Sequence, residues 1–178
     1  MLALTLAILA QAATPTPTAT PPPDPWAEVR FMVGEWVGTS EGEPGQGSVK
    51  RTYAFVLKER FLHERNVSSY PPQPKNPKGE VHEHWSFFSY DKARKALVLR
   101  QFHQEGFVNQ FALAKAAEPG LLVFESEAFE NLPAGWRARE SYRRSSAEAF
   151  EETFELSAPG QPFEIYSRTR FERERPRP

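Results

Sequence analysis

"EVHEHWSFFSYDKARKALVLRQFHQEGFVNQFALAK", residues 80–115, holds three runs of alternating apolar and polar residues joined by two short turns. Runs of period two separated by tight turns build antiparallel hairpins. The turn after Asp91 sets the first register. If Asp91 pairs with Ala96, Tyr90 faces Leu97, Phe88 faces Leu99, Ser86 faces Gln101 and His84 faces His103. The second turn, Gln104-Glu105-Gly106, suits a hairpin with Gly106 in the left-handed conformation. It places His103 opposite Phe107, Gln101 opposite Asn109 and Leu99 opposite Phe111. The other face carries Asp91, Ser89, Phe87, Trp85, Val98, Arg100, Phe102 and Gln110, and its charges mark it as outward.

Working outward, the same alternation continues over 48–57, 61–70, 121–129, 136–144, 149–156 and 162–171. In 48–57 it puts Val49, Tyr53, Phe55 and Leu57 on one side. Residues 71–79 hold four prolines, a loop that cannot join a sheet. With a run starting at Trp36 the count is about ten strands, and long helical periodicity is absent. The expected fold is all-β: a single antiparallel up-and-down barrel, with a two-sheet sandwich as the other arrangement. Asp24 as N-cap and Pro25 at the first helical position predict a short helical turn before the barrel.

The first strand run is preceded by "FMVGEWVG", residues 31–38. Glycines let a strand bend where a side chain would block it, and a tryptophan can plug the narrow end of a small barrel. The pattern Phe31-x-x-Gly34-x-Trp36-x-Gly38 near the start of an all-β chain resembles the calycin superfamily of lipocalins, fatty-acid-binding proteins and nitrobindin-like haem-binding barrels. It is most similar to the nitrobindin-like group. The resemblance implies an arginine on the last strand packed against Trp36, and Arg168 and Arg170 stand where it is expected. Fatty-acid-binding proteins carry a helical lid between their first two strands. Here only "EGEPGQG" (41–47) separates them, so no helical lid is expected. The resemblance also implies haem held by a histidine on a late strand. The last two runs contain none, which leaves His84 or His103 to reach a haem from a different wall.

The inner face of the registered hairpins is apolar at one end (Phe88, Leu99, Phe111) and polar at the other (His84, Ser86, Gln101, His103, Asn109). A buried polar group without a partner costs about 1–3 kcal/mol, so the polar cluster needs a purpose. A mostly apolar pocket with a few convergent polar groups describes a small-molecule site. The expected ligand is a hydrophobic molecule with a polar head, lipid-like or haem, its body against the apolar trio and its head against the polar cluster. Two other readings use the same residues: a small hydrolase or isomerase acting through His103, with Glu105 nearby, and a structural envelope protein whose barrel is filled by its own side chains. His82 and His84 share a strand face, and with His103 opposite they are able to hold a metal. Histidines bonded to Gln101 or Ser86 are the expectation, and no metal site is assigned. Glu83, Glu125, Glu127 and Glu140 are expected to face solvent. No Gly-x-Ser-x-Gly elbow or phosphate-cradling glycine loop is present, and no catalytic residue is assigned.

The chain begins "MLALTLAILAQAATPTPTATPPPDP". Leu2 to Ala10 matches a signal-peptide core, with a small-x-small cleavage pattern at Ala10 to Ala12. A bilayer span needs about 20 apolar residues, so this run is too short to be one. The expected organisation is a signal peptide over 1–13, a Pro/Thr-rich linker over 14–25, the barrel over 26–174 and a disordered end over 175–178, in an exported, periplasmic or extracellular protein. The sequence has no cysteine, which excludes disulfides, thiolate metal sites and a lipid-modified cysteine anchor. Setting aside the tail and its one acid, Asp24, leaves 22 basic and 22 acidic residues. That neutrality argues against a nucleic-acid partner. Nothing in the pattern speaks to oligomeric state.

Overall fold

A computed structural model describes residues 24–114 and 118–175. The signal-peptide segment 1–13, nearly all of the linker and the last three residues lie outside them. A 3-10 turn, Arg30–Met32, leads into ten strands: β1 Gly34–Gly42, β2 Gly47–Val56, β3 Phe61–Tyr70, β4 Glu80–Asp91, β5 Ala96–His103, β6 Val108–Leu113, β7 Leu121–Glu130, β8 Arg137–Arg144, β9 Ala149–Ser157 and β10 Glu164–Arg173. Each strand pairs antiparallel with the next, and β10 returns to β1 to close the barrel. Full closure leaves no unpaired edge. No helix among the described residues is long and apolar enough to cross a membrane.

The register expected from turn chemistry is the register found. His84 pairs with His103, Ser86 with Gln101, Phe88 with Leu99 and Asp91 with Ala96. Leu99 then pairs with Phe111, and Gln101 with Asn109. Gly106 has φ +86°, the left-handed value that this turn demands. Asp91 Oδ1 caps the β4–β5 turn by accepting from the Ala93 and Arg94 N–H groups. One slip is at Leu57, expected on the same side as Val49, Tyr53 and Phe55. It sits in the β2–β3 turn at φ 51°, exposed, because the strand ends at Val56.

One end of the barrel is packed solid. Trp26, Val29 and Met32, on the segment before β1, are buried against it. Asp24 Oδ1 accepts from the Trp26 N–H at 3.1 Å, as the expected cap would. Trp36 lies immediately inside: its Nε1–H donates to the Met32 carbonyl at 2.6 Å, and its ring meets Phe150 edge-on at 4.7 Å. The arginine on Trp36 is neither Arg168 nor Arg170. Positions 169 and 171 of β10 are buried, so the strand's two-residue alternation turns 168 and 170 outward. Arg170 instead reaches Glu151 on the surface. Arg173 covers the indole, its guanidinium 4.3 Å from the ring. It also donates to the Val33, Phe31 and Ala147 carbonyls.

The two glycines flanking Trp36 have different causes. Gly34 turns the chain into β1 at φ +130°, a value side chains avoid. Gly38 is needed for space rather than for curvature. A Cβ there would come within 2.9 Å of the Phe171 ring and the Thr169 methyl.

Candidate functional site

The opposite end of the barrel is open. There the strands enclose a cavity of about 500 Å³. Its floor is polar: Arg51 on β2, Asn66 and Ser68 on β3, His84 on β4, Gln101 and His103 on β5, Asn109 on β6, Glu140 on β8 and Glu152 on β9. Above it, Phe107, Phe129, Leu132, Trp136, Phe154 and Leu156 form an apolar part of the wall, and Glu80, His82 and Glu105 a polar part.

The apolar trio expected to hold a ligand body is elsewhere. Phe88, Leu99 and Phe111 are fully buried in the core with Phe124 and Tyr142, below the floor. A barrel of this width is filled by its own rings where every inward residue is large. Ser86 is likewise buried and lines no part of the cavity. His84, Gln101, His103 and Asn109 do converge on it. The cavity therefore has polar groups deep and aromatic groups nearer the mouth, where the sequence expectation had the apolar trio line it.

A buried ionic network runs through the floor and beneath it. Arg51 places Nη1 2.6 Å and Nη2 2.9 Å from the two carboxylate oxygens of Glu152, and Nε 3.1 Å from Glu64 Oε1. Arg51 also donates to Asn66 Oδ1 and the Tyr53 hydroxyl, and its face lies over the Phe171 ring. Burial pushes the Glu64 carboxyl up, but Arg51 and the hydrogen bond from His84 outweigh it and hold it at about 2. Glu140 has no such cation. Burial and the charge of Glu152 push its carboxyl well above the usual range, and its contacts are the Gln101 amide and the Tyr142 hydroxyl. Glu140 was expected to face solvent; it lies inside because Ala138 and Tyr142 on the same parity are also buried.

His82 and His103 are joined to each other, and His84 to Glu64 and the Asn66 amide, rather than to Gln101 or Ser86. His84 Nε2 lies 3.1 Å from Glu64 Oε1. The Asn109 amide donates to His103 Nε2 at 3.1 Å, and His103 Nδ1 is 3.3 Å from His82 Nε2. His82 Nδ1 is in turn 3.0 Å from Glu105 Oε1, so Glu105 serves His82 and not His103. His103 also stacks on Phe107, ring centres 4.0 Å apart. Burial, with His84 and His82 nearby, lowers the His103 ring to about 3 and keeps it neutral. Asn109 Oδ1 is buried with no hydrogen-bond partner. His63 is on the outer wall against Trp85 and Phe87.

The sequence reading missed the charged floor: Arg51, Glu64, Glu140 and Glu152. Parity was the available signal. Arg51 falls between Val49 and Tyr53, and Glu140 between Ala138 and Tyr142, on positions that an alternating strand must turn inward. Two residues of the aromatic mouth, Phe129 and Trp136, sit near or just outside strand ends, where periodicity carries no direction, whereas Phe154 shares the inward parity of Phe150.

No protein-family model matches the sequence, and no curated relative does. Solved structures do match by fold. The crystal structure of Rv2717c from M. tuberculosis aligns with a TM-score of 0.64 at 16% identity, over 85% of this chain and 98% of that one. At that identity the likeness is one of fold.

Proposed function

We propose that this barrel binds a small molecule with an apolar body and a hydrogen-bond-donating or cationic head, which enters head first. The observation that carries the reading is a cavity of about 500 Å³ with Gln101, Asn109, Glu140 and Glu152 on its floor and aromatic residues at its mouth. Ligand pockets of about 300–1,000 Å³ with few polar groups on an otherwise apolar wall hold molecules of this kind. The preference for a donor follows from charge. Arg51 is the interior cation, and Glu64 and Glu152 already occupy it from two sides. A carboxylate head would meet those acids with no free cation to receive it. The calycin resemblance supports a carrier role, and the leader-like segment 1–13 supports action outside the cytoplasm.

Haem on a late strand or on His103 is not supported by the residues present. Strands β9 and β10 contain no histidine. A porphyrin plane over His103 Nδ1 would collide with the His82 ring, whose Nε2 is 3.3 Å away.

Displacement of a fluorescent apolar dye by dodecylamine, dodecanol and dodecanoate tests the proposal. Amine and alcohol should compete and dodecanoate should be the weakest. Failure of all three, or dodecanoate the strongest, refutes it. A filled structural barrel predicts that same failure, together with no co-purifying mass in native mass spectrometry of protein from its own host.

Acid–base catalysis is a second reading, favoured by the line from Asn109 through His103 and His82 to Glu105. Its test is turnover of simple esters, abolished by His103→Ala.

A further inference from the structure

We infer that His82, His84 and His103 form a binding site for a single divalent transition metal of the zinc class, with its open coordination position facing the cavity. The inference stands apart from the organic ligand and needs none.

One ring nitrogen from each histidine lies within 4.8 Å of one from each of the others. Tetrahedral zinc bonds to imidazole at about 2.0–2.1 Å, which puts neighbouring ligand nitrogens about 3.3 Å apart. His82 Nε2 and His103 Nδ1 are 3.3 Å apart. The three rings come from two neighbouring strands whose pairing sets His84 opposite His103, so the backbone ladder presents them together.

The groups behind the rings are of the kind that metal-binding histidines use. Such a histidine commonly holds its second nitrogen against a carboxylate or an oxygen acceptor, which fixes its tautomer and orientation. His82 Nδ1 faces Glu105 at 3.0 Å, and His84 Nε2 faces Glu64 at 3.1 Å, which leaves His84 Nδ1 for the ion in place of its long 3.5 Å contact with the Asn66 amide. His103 Nε2 faces the Asn109 amide at 3.1 Å. Rotating that amide offers Oδ1, which has no partner, to a proton on His103 Nε2. Nδ1 is then bare for the ion, at the loss of the long 3.4 Å hydrogen bond from Asn109 to Gln101 Oε1, which then faces Oδ1, and with the amide nitrogen turned to the buried side that Oδ1 leaves. The ring stays neutral: its proton moves from one nitrogen to the other.

Three histidines with a fourth position open are the ligand set of catalytic rather than structural zinc sites. All three line the cavity, so a water or a ligand head would complete the shell. A bare ion fits between rings where a macrocycle does not.

The test is titration of the metal-stripped full chain with Zn2+ by calorimetry and with Co2+ by visible absorption. One equivalent should bind, with the intense absorption of four-coordinate cobalt. His82→Ala and His103→Ala should each weaken binding at least a hundredfold, and Glu105→Gln about tenfold to a hundredfold. Glu80→Gln should change nothing beyond twofold. Because His84 is tied to the buried Glu64, its substitution would disturb the floor, and the other two histidines decide the outcome, with circular dichroism to verify their fold. Absence of saturable uptake overturns the inference, as does uptake that survives both substitutions. Equal damage from Glu80→Gln and His82→Ala overturns it too, because it moves the ion to the surface group Glu80, His82 and Glu105.

Discussion

Arg51 on β2 and Glu152 on β9 meet across the barrel interior in a two-pronged ion pair, with Nη1 2.6 Å from Oε1 and Nη2 2.9 Å from Oε2. The pair bridges strands that do not neighbour each other in the sheet. Removing one partner of a buried pair strands the other charge, at a cost of about 3–5 kcal/mol. Arg51→Leu should lower unfolding stability by that amount in urea denaturation, because Glu64 and Glu152 both lose their cation. A loss under about 1 kcal/mol would mean that water reaches the floor and screens it.

Arg173 and its two outward neighbours separate packing from surface charge. Arg173→Ala removes a cation from the Trp36 face and three carbonyl hydrogen bonds. It should cost about 1–3 kcal/mol. Arg168→Ala and Arg170→Ala should each stay within about 0.5 kcal/mol. Thermal melts of the three variants decide; equal losses would place the wrong arginine on the tryptophan.

Glu140 makes stability depend on pH in an unusual direction. Its folded carboxyl lies above the ordinary 4.5, raised by burial and by Glu152. The native state therefore keeps a proton that the unfolded chain releases. This contribution is complete below about pH 4.5 and is lost as pH rises, by up to about 1.4 kcal/mol per unit. Glu140→Gln is neutral at every pH, so its stability relative to the parent should improve between about pH 5 and pH 8. Parallel pH profiles in denaturant titrations would show that Glu140 is ionised in the native state.

The filled and open halves of the barrel should respond oppositely to truncation. Phe88→Ala and Phe111→Ala each open a void in a closed core and should cost about 3–5 kcal/mol. Correctly folded protein should still bind dodecylamine within about twofold. Trp136→Ala, at the mouth, should cost under about 1 kcal/mol yet weaken dodecylamine binding about tenfold. Binding that follows Phe88 rather than Trp136 would relocate the ligand to the closed end.

Much of the fold could be read from local chemistry. Alternation and turn residues act over a few neighbours, so the Asp91–Ala96 and His103–Phe107 turns fixed which side chains oppose which across β4, β5 and β6. The same reading set His84, Gln101, His103 and Asn109 on one inner surface. It also left Trp85 and Phe102 outside, where they are 47% and 45% exposed.

Register states which residues share a face, but not how far along the barrel axis the interior is filled. That depended on Trp26, Val29 and Met32 closing one end, and on rings from six strands packing around Phe88 and Phe111. The partners of the polar groups were equally hidden. Arg51 and Glu152 are separated by 101 residues, and Arg51 reaches Glu64 within the same enclosed space. The sequence by itself determined strand order, register and the inward set on three strands, because these follow from a two-residue period and short turns. Only the closed barrel decided which inward residues became core, which became cavity floor and which histidine nitrogens met, because those outcomes depend on contacts made across the barrel.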